Sequence, residues 1–150
     1  VIYNPVLNEL YVAERGGGAF LNDRRLRVAG RSRLDDAVVS TGMPHLDRPG
    51  QDAYLAELGK VMRQVAGVRR TGSAAMDLAW VASGRFDGYW QHGLSPWDIA
   101  AGIVIVREAG GYVTDDKAGD AMFATGSIVA GNEAIHGRLL ALLGGAGRPG

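Results

Sequence analysis

The stretch from Ser95 to Gly111 constrains this chain more than any other. Ser95 is a good helix N-cap. Pro96 suits the first helical position, where the missing N–H costs nothing, and Asp98 falls at the third. The spacing predicts a helix to about Glu108, ended by Gly110-Gly111. Taken by itself, Asp98 reads as a capping carboxylate, in an approximation to the Ser-x-x-Glu box.

Other elements follow from similar local signals. Val1–Tyr3 and Glu9–Glu14 read as strands around an Asn-Pro turn, and Gly16-Gly17-Gly18 breaks the second. Ala19–Leu21 and Arg24–Val28 flank Asn22-Asp23, a hairpin turn. Ala37–Thr41 is a further strand. From Tyr54 to Val65 the spacing is helical, with Leu55, Leu58, Val61, Met62 and Val65 on one face. Val68–Arg70 is short and extended. Ser73 can cap a helix from Ala74 to about Ser83, with Gly84 at its end, and Tyr89–Gln91 is extended. Tyr112–Thr114 and Ser127–Ala130 are strands. Asn132 caps a last helix through about Leu143. Strands come first, then strands alternating with helices, which predicts layered α/β or α+β packing.

Composition excludes several classes of function. Sixteen basic residues balance sixteen acidic ones, so no net field attracts nucleic acid or an anionic membrane. The absence of cysteine rules out disulfides, zinc thiolate sites and a cysteine nucleophile. With 47% hydrophobic and 21% charged residues, there is material for a core. No apolar run is long enough to span a bilayer, and no signal-peptide pattern opens the chain, so the expectation is a cytoplasmic protein. The 23 glycines lie between elements rather than in a repeat.

The segment Trp97-Asp98-Ile99-Ala100-Ala101-Gly102, continuing to Glu108-Ala109-Gly110-Gly111, resembles the second signature of the inositol monophosphatase family throughout. Arg70-Thr71-Gly72-Ser73-Ala74-Ala75 resembles that family's Gly-Ser/Thr-Ala turn beside the substrate. Val1-Ile2-Tyr3-Asn4-Pro5 with Gly16-Gly17-Gly18-Ala19-Phe20 looks like its central hairpin region, and Thr41-Gly42-Met43-Pro44 like the strand end after it. Where the family often has a Glu that contacts sugar-alcohol hydroxyls, this chain has Gln91, which weakens an inositol preference.

The resemblance implies a layered α/β sandwich, with residues 1–143 as the C-terminal portion of the domain and 144–150 as a flexible tail. It implies a Mg²⁺-dependent phosphomonoesterase acting on a small sugar-alcohol or sugar phosphate. Asp98 would be a catalytic residue and Mg²⁺ ligand, and Gly72, Ser73, Ala74 and Gln91 would bind substrate. The partner would be a small phosphate ester rather than nucleic acid or membrane, and the full-length protein a homodimer. The family's first signature, Asp-Pro-Ile/Leu-Asp-Gly-Thr, and a Glu upstream of it are not in this sequence. In family order both precede Val1, so the expectation is a fragment, inactive alone. The alternatives are another phosphatase of the superfamily, for fructose bisphosphate, histidinol phosphate or a nucleotide phosphate, or a non-catalytic interaction module.

Other signals are discounted. His45, His92 and His136 lack metal-ligand spacing and read as surface or satisfied histidines. The run of Arg24, Arg25, Arg27, Arg31 and Arg33 is followed by Asp35-Asp36 and reads as a solvated hairpin. Asp115-Asp116 with Asp120 lacks calcium-loop spacing and reads as a turn. Gly16-Gly17-Gly18 has no following Gly-Lys-Ser/Thr, so it is not a phosphate loop. Ser40 and Thr41 have no nearby base in the sequence and are poor nucleophiles.

Overall fold

Two β-sheets alternate with two helical layers in a computed structural model that describes residues 1–45 and 49–144. The first sheet is an antiparallel meander of β1 (Ile2–Asn4), β2 (Glu9–Glu14), β3 (Gly18–Leu21) and β4 (Arg24–Arg25). The second has five strands: β5 (Val38–Thr41), β6 (Gly67–Arg69), β7 (Gly88–Gln91), β8 (Tyr112–Thr114) and β9 (Ile128–Gly131). Their order is β6-β5-β7-β9-β8. β5 runs parallel to both β6 and β7, whereas β9 is antiparallel to β7 and β8.

Helices α2 (Ala74–Ala82) and α3 (Pro96–Glu108) fill the layer between the sheets. Gly102 lets them approach closely: a methyl group there would stand 2.4 Å from Leu78 Cδ1. Helices α1 (Gln51–Met62) and α5 (Glu133–Leu143) cover the outer face of the five-stranded sheet. The period-2 geometry of β7 divides its aromatics between the two cores. Tyr89 packs with α2 and α3, and Trp90 packs against Val61 of α1 and Leu139 of α5. Each such buried side chain contributes about 1.5–3 kcal/mol through loss of water contact.

Polar contacts also join the layers. Glu108, at the end of α3, accepts the N–H groups of Gly16 at 2.8 Å and Gly18 at 2.9 Å. Arg85 holds Glu9 at 2.9 Å, and Tyr11 donates to the same carboxylate. Buried Asp87 accepts from Arg31 and from the Val38 N–H.

The layered α/β sandwich is as expected, with local differences. The first helix begins at Gln51, three residues before its expected start. Its inner stripe is Tyr54, Leu58 and Val61, whereas Leu55 and Met62 are exposed. β4 keeps only Arg24–Arg25; the Leu26 N–H still reaches the Ala19 carbonyl of β3, and beyond it the chain turns toward α3, where the Val28 N–H reaches the Ala109 carbonyl. Arg31 is drawn to Asp87 rather than remaining in a solvated hairpin. A 3-10 turn at Leu34–Asp36 and a short α4 (Met122–Thr125) were not expected. Asp115 does form a turn, accepting the N–H groups of Lys117, Gly119 and Ala121. Of the tail expected at 144–150, only Gly144 is described; it ends α5 in a left-handed conformation, and residues 145–150 lie outside the described residues.

Candidate active site

Parallel strands deliver their carboxyl ends to one edge of a sheet. β5, β6 and β7 do so here, and each leads through a loop into a helix: α1, α2 and α3 respectively. The three junctions surround a cleft of about 760 Å³. Gly72, Ser73, Ala74, Gln91 and Asp98 all line it, although they come from two separate stretches of sequence.

The second junction turns at Gly72, whose φ of +87° is a left-handed conformation that L side chains adopt at a cost. Ser73 then caps α2, its hydroxyl accepting the Met76 N–H at 3.4 Å. The Ser73 N–H reaches the Thr71 hydroxyl at 3.3 Å. The first amides of a helix have no intrahelical acceptor, so Ala74 and Ala75, which both line the cleft, are the donors this turn can offer to an anion.

The third junction carries Gln91 and Asp98. Gln91 Oε1 accepts the hydroxyl of fully buried Tyr89 at 2.6 Å, and among the described residues the Gln91 NH₂ donates no hydrogen bond. Asp98 is half-buried in the first turn of α3. Its Oδ2 accepts the Ser95 N–H at 2.9 Å, closing the capping contact. Oδ1 takes no hydrogen bond from the described residues, and the side chain borders the cleft. That free, hard oxygen suits Mg²⁺ as one ligand. No cluster of three acidic or histidine side chains that could hold a metal ion gathers among the described residues.

Four neighbours of the site were given no functional role from the sequence. Asp77 of α2 is buried, and neither carboxylate oxygen is within hydrogen-bond distance of a partner among the described residues. Burial pushes its pKa up to about 6, against a smaller opposing pull from the Thr71 and Ser40 hydroxyls. Tyr89 is held well above the usual phenol range, first by burial and then by the charges of Asp77 and Asp98. His92 Nε2 lies 3.1 Å and 3.2 Å from the two carboxylate oxygens of Glu57 across the cleft, and this contact raises the imidazole pKa. Gly42 lies under Gln91. An acid within the apolar run Ala74-Ala75-Met76-Asp77-Leu78-Ala79 was the one available sequence signal. His92 and Gly42 depend on partners 35 and 49 positions away, and Tyr89 on its burial beneath the cleft. His45 also borders the cleft, and His136 is buried, 3.0 Å from the Thr114 hydroxyl, with its pKa lowered to about 4 by burial.

A sequence profile described as the inositol monophosphatase family matches residues 1–147. The chain belongs to the inositol monophosphatase family. It is 61% identical over 140 residues to an inositol-1-monophosphatase of Mesorhizobium japonicum, covering 93% of this chain and 53% of that one. It is 48% identical over 141 residues to Nus factor SuhB of Escherichia coli, covering 94% of this chain and 53% of that one. Among solved structures, extragenic suppressor protein suhB of Bartonella henselae superimposes with a TM-score of 0.93 at 57% identity, over 95% of this chain and 55% of that one. Inositol monophosphatase of Anabaena gives 0.89 at 42% identity, over 95% and 57%. The chain thus spans about half the length of the curated family members it matches. No helix among the described residues is long and apolar enough to cross a membrane.

Proposed function

We propose that this chain carries the substrate-facing side of a Mg²⁺-dependent phosphomonoesterase that hydrolyses a small sugar-alcohol or sugar phosphate. The observation that carries this reading is the meeting of Asp98, Gln91 and the Gly72–Ala74 turn in one cleft at the ends of parallel strands. Asp98 holds the metal through its free oxygen. Mg²⁺, when bound, neutralises phosphate charge and lowers the pKa of a bound water. The amides of Ala74 and Ala75 receive anionic oxygens at the positive end of α2. Gln91, oriented by Tyr89, donates to the alcohol portion of the ester. The full-length protein acts as a cytoplasmic homodimer.

The test uses the full-length enzyme. Phosphate release from inositol 1-phosphate should require Mg²⁺ and should fall by orders of magnitude in Asp98→Asn. Sedimentation of the same preparation should give a dimer. Undiminished turnover in that variant would remove Asp98 from the site. A second, non-catalytic reading is favoured by the name Nus factor SuhB, carried by relatives 46% and 48% identical to this chain. Asp98→Asn separates the two, because it should abolish turnover and leave a non-catalytic role intact.

A further inference from the structure

The two walls of the cleft are held very differently. On one side, the loop between β7 and α3 is fixed by backbone: the Leu94 N–H reaches the Gly126 carbonyl at 2.9 Å, and Ser95 and Asp98 close the cap. On the other side stands the first half of α1. Its N-cap is Gly50, at φ +102° and with no side-chain cap. Only Tyr54 and Val61 of α1 are fully buried. Among the described residues, the one ion pair between α1 and another element is Glu57 to His92. Glu57 is largely buried, and both its oxygens lie within hydrogen-bond range of Nε2.

We propose that the Glu57–His92 contact is a latch across the cleft, which fixes the separation of α1 from the β7–α3 loop and so limits the size of the alcohol portion that the site accepts. This rests on the cleft being a phosphomonoesterase site. Glu57 and Asp116 are the charged groups that act on His92, from α1 and from the turn after β8, and both favour the imidazolium. Arg70 and His45 line the same cleft from the β6–α2 and β5–α1 segments. Tyr54, one turn before Glu57, is kept neutral by burial. The latch is therefore charged and strongest in mildly acidic solution. As pH rises through the raised His92 value, the ion pair weakens to a hydrogen bond from a neutral imidazole to the Glu57 carboxylate.

Two measurements on the full-length protein test this. In the first, the His92 ring is followed by NMR against pH. Its pKa should lie above 6.5 and drop in Glu57→Gln, and hydrogen exchange over residues 51–57 should quicken in that variant. An unmoved titration and unchanged exchange would overturn the latch, whether or not the protein hydrolyses any ester. In the second, kcat/KM is compared for a bulky ester, adenosine 2′-monophosphate, and a small one, glycerol 2-phosphate. The ratio should rise roughly threefold to fivefold in Glu57→Gln, the range expected for losing a half-exposed ion pair. In the unaltered enzyme it should rise with pH across the His92 titration. Exchange of the two residues, His92→Glu with Glu57→His, should restore the original ratio. A latch confirmed by NMR with an unchanged ratio would refute its role in size selection. Failure of every phosphomonoester as substrate would instead refute the proposed function and leave the first measurement to decide the latch.

Discussion

The carboxamide of Gln91 lies directly against the α-carbon of Gly42, so closely that a methyl group there would stand 1.9 Å from Oε1. The obstructing atoms are the end of a flexible side chain, and the φ of Gly42 is not in the left-handed region. Gly42→Ala should therefore displace Gln91 rather than the backbone. Its stability cost is the lost partner of the buried Tyr89 hydroxyl, about 1–3 kcal/mol. In a double-mutant cycle with Gln91→Ala the two effects should be strongly non-additive, since both remove the same hydrogen bond. Thermal melts of the four proteins check this; additive losses would place the Gln91 side chain elsewhere.

Gln91→Glu should keep the bond from Tyr89 and replace a neutral acceptor by a charged one. The full-length enzyme should then prefer inositol 1-phosphate over fructose 1,6-bisphosphate and glycerol 2-phosphate. The expected shift in kcat/KM is roughly tenfold, or about 1.4 kcal/mol, one good charged hydrogen bond. A ratio within about twofold of the original would mean that Gln91 does not meet the alcohol.

Asp98→Asn separates capping from chemistry. The side-chain oxygen of Asn can still accept the Ser95 N–H, as Asp98 Oδ2 does now. Thermal stability in metal-free buffer should change by less than about 0.5 kcal/mol, since Asn caps about as well as Asp. Phosphatase activity should nonetheless collapse. A large fall in melting temperature would make Asp98 chiefly structural.

Asp77 should give the protein an acid-side stability gain. Its folded pKa, about 6, lies above the ordinary 3.8. The contribution is therefore fully present below pH 3.8 and is lost as pH rises through 6. A gap of that size corresponds to a few kcal/mol at most. Asp77→Asn cannot ionise, so it should flatten this part of the profile and be the more stable protein at pH 8. Urea melts of both proteins at pH 3.5 and pH 8 measure the difference; parallel profiles would show that burial does not raise the Asp77 pKa.

What the sequence disclosed was local. The caps at Ser73 and Asn132 and the start of α3 at Pro96 were legible because each depends on side chains within one helical turn. The start of α1 was not, because Gly50 offers no capping side chain and the first inward residue is Tyr54. Four residues were too few to show a period for α4. Family resemblance named Gly72, Ser73, Ala74, Gln91 and Asp98, and these residues share a cleft. The Glu57–His92 pair and the seat of Gln91 on Gly42 were out of reach. They depend on residues 35 and 49 positions apart, brought together by the parallel pairing of β5 with β7.

The cleft lies where three strand-to-helix junctions meet the first turns of their helices, while the middles of the strands and helices carry most of the buried residues. Insertions at Gly50 or Gly93, where added atoms would meet nothing within 4 Å, would then leave both cores untouched. Lengthening a surface loop costs little, only about 0.6 kcal/mol per doubling. Descendants of one such fold could diverge in what they hydrolyse by changing a few junction residues, with no need to re-evolve a stable scaffold.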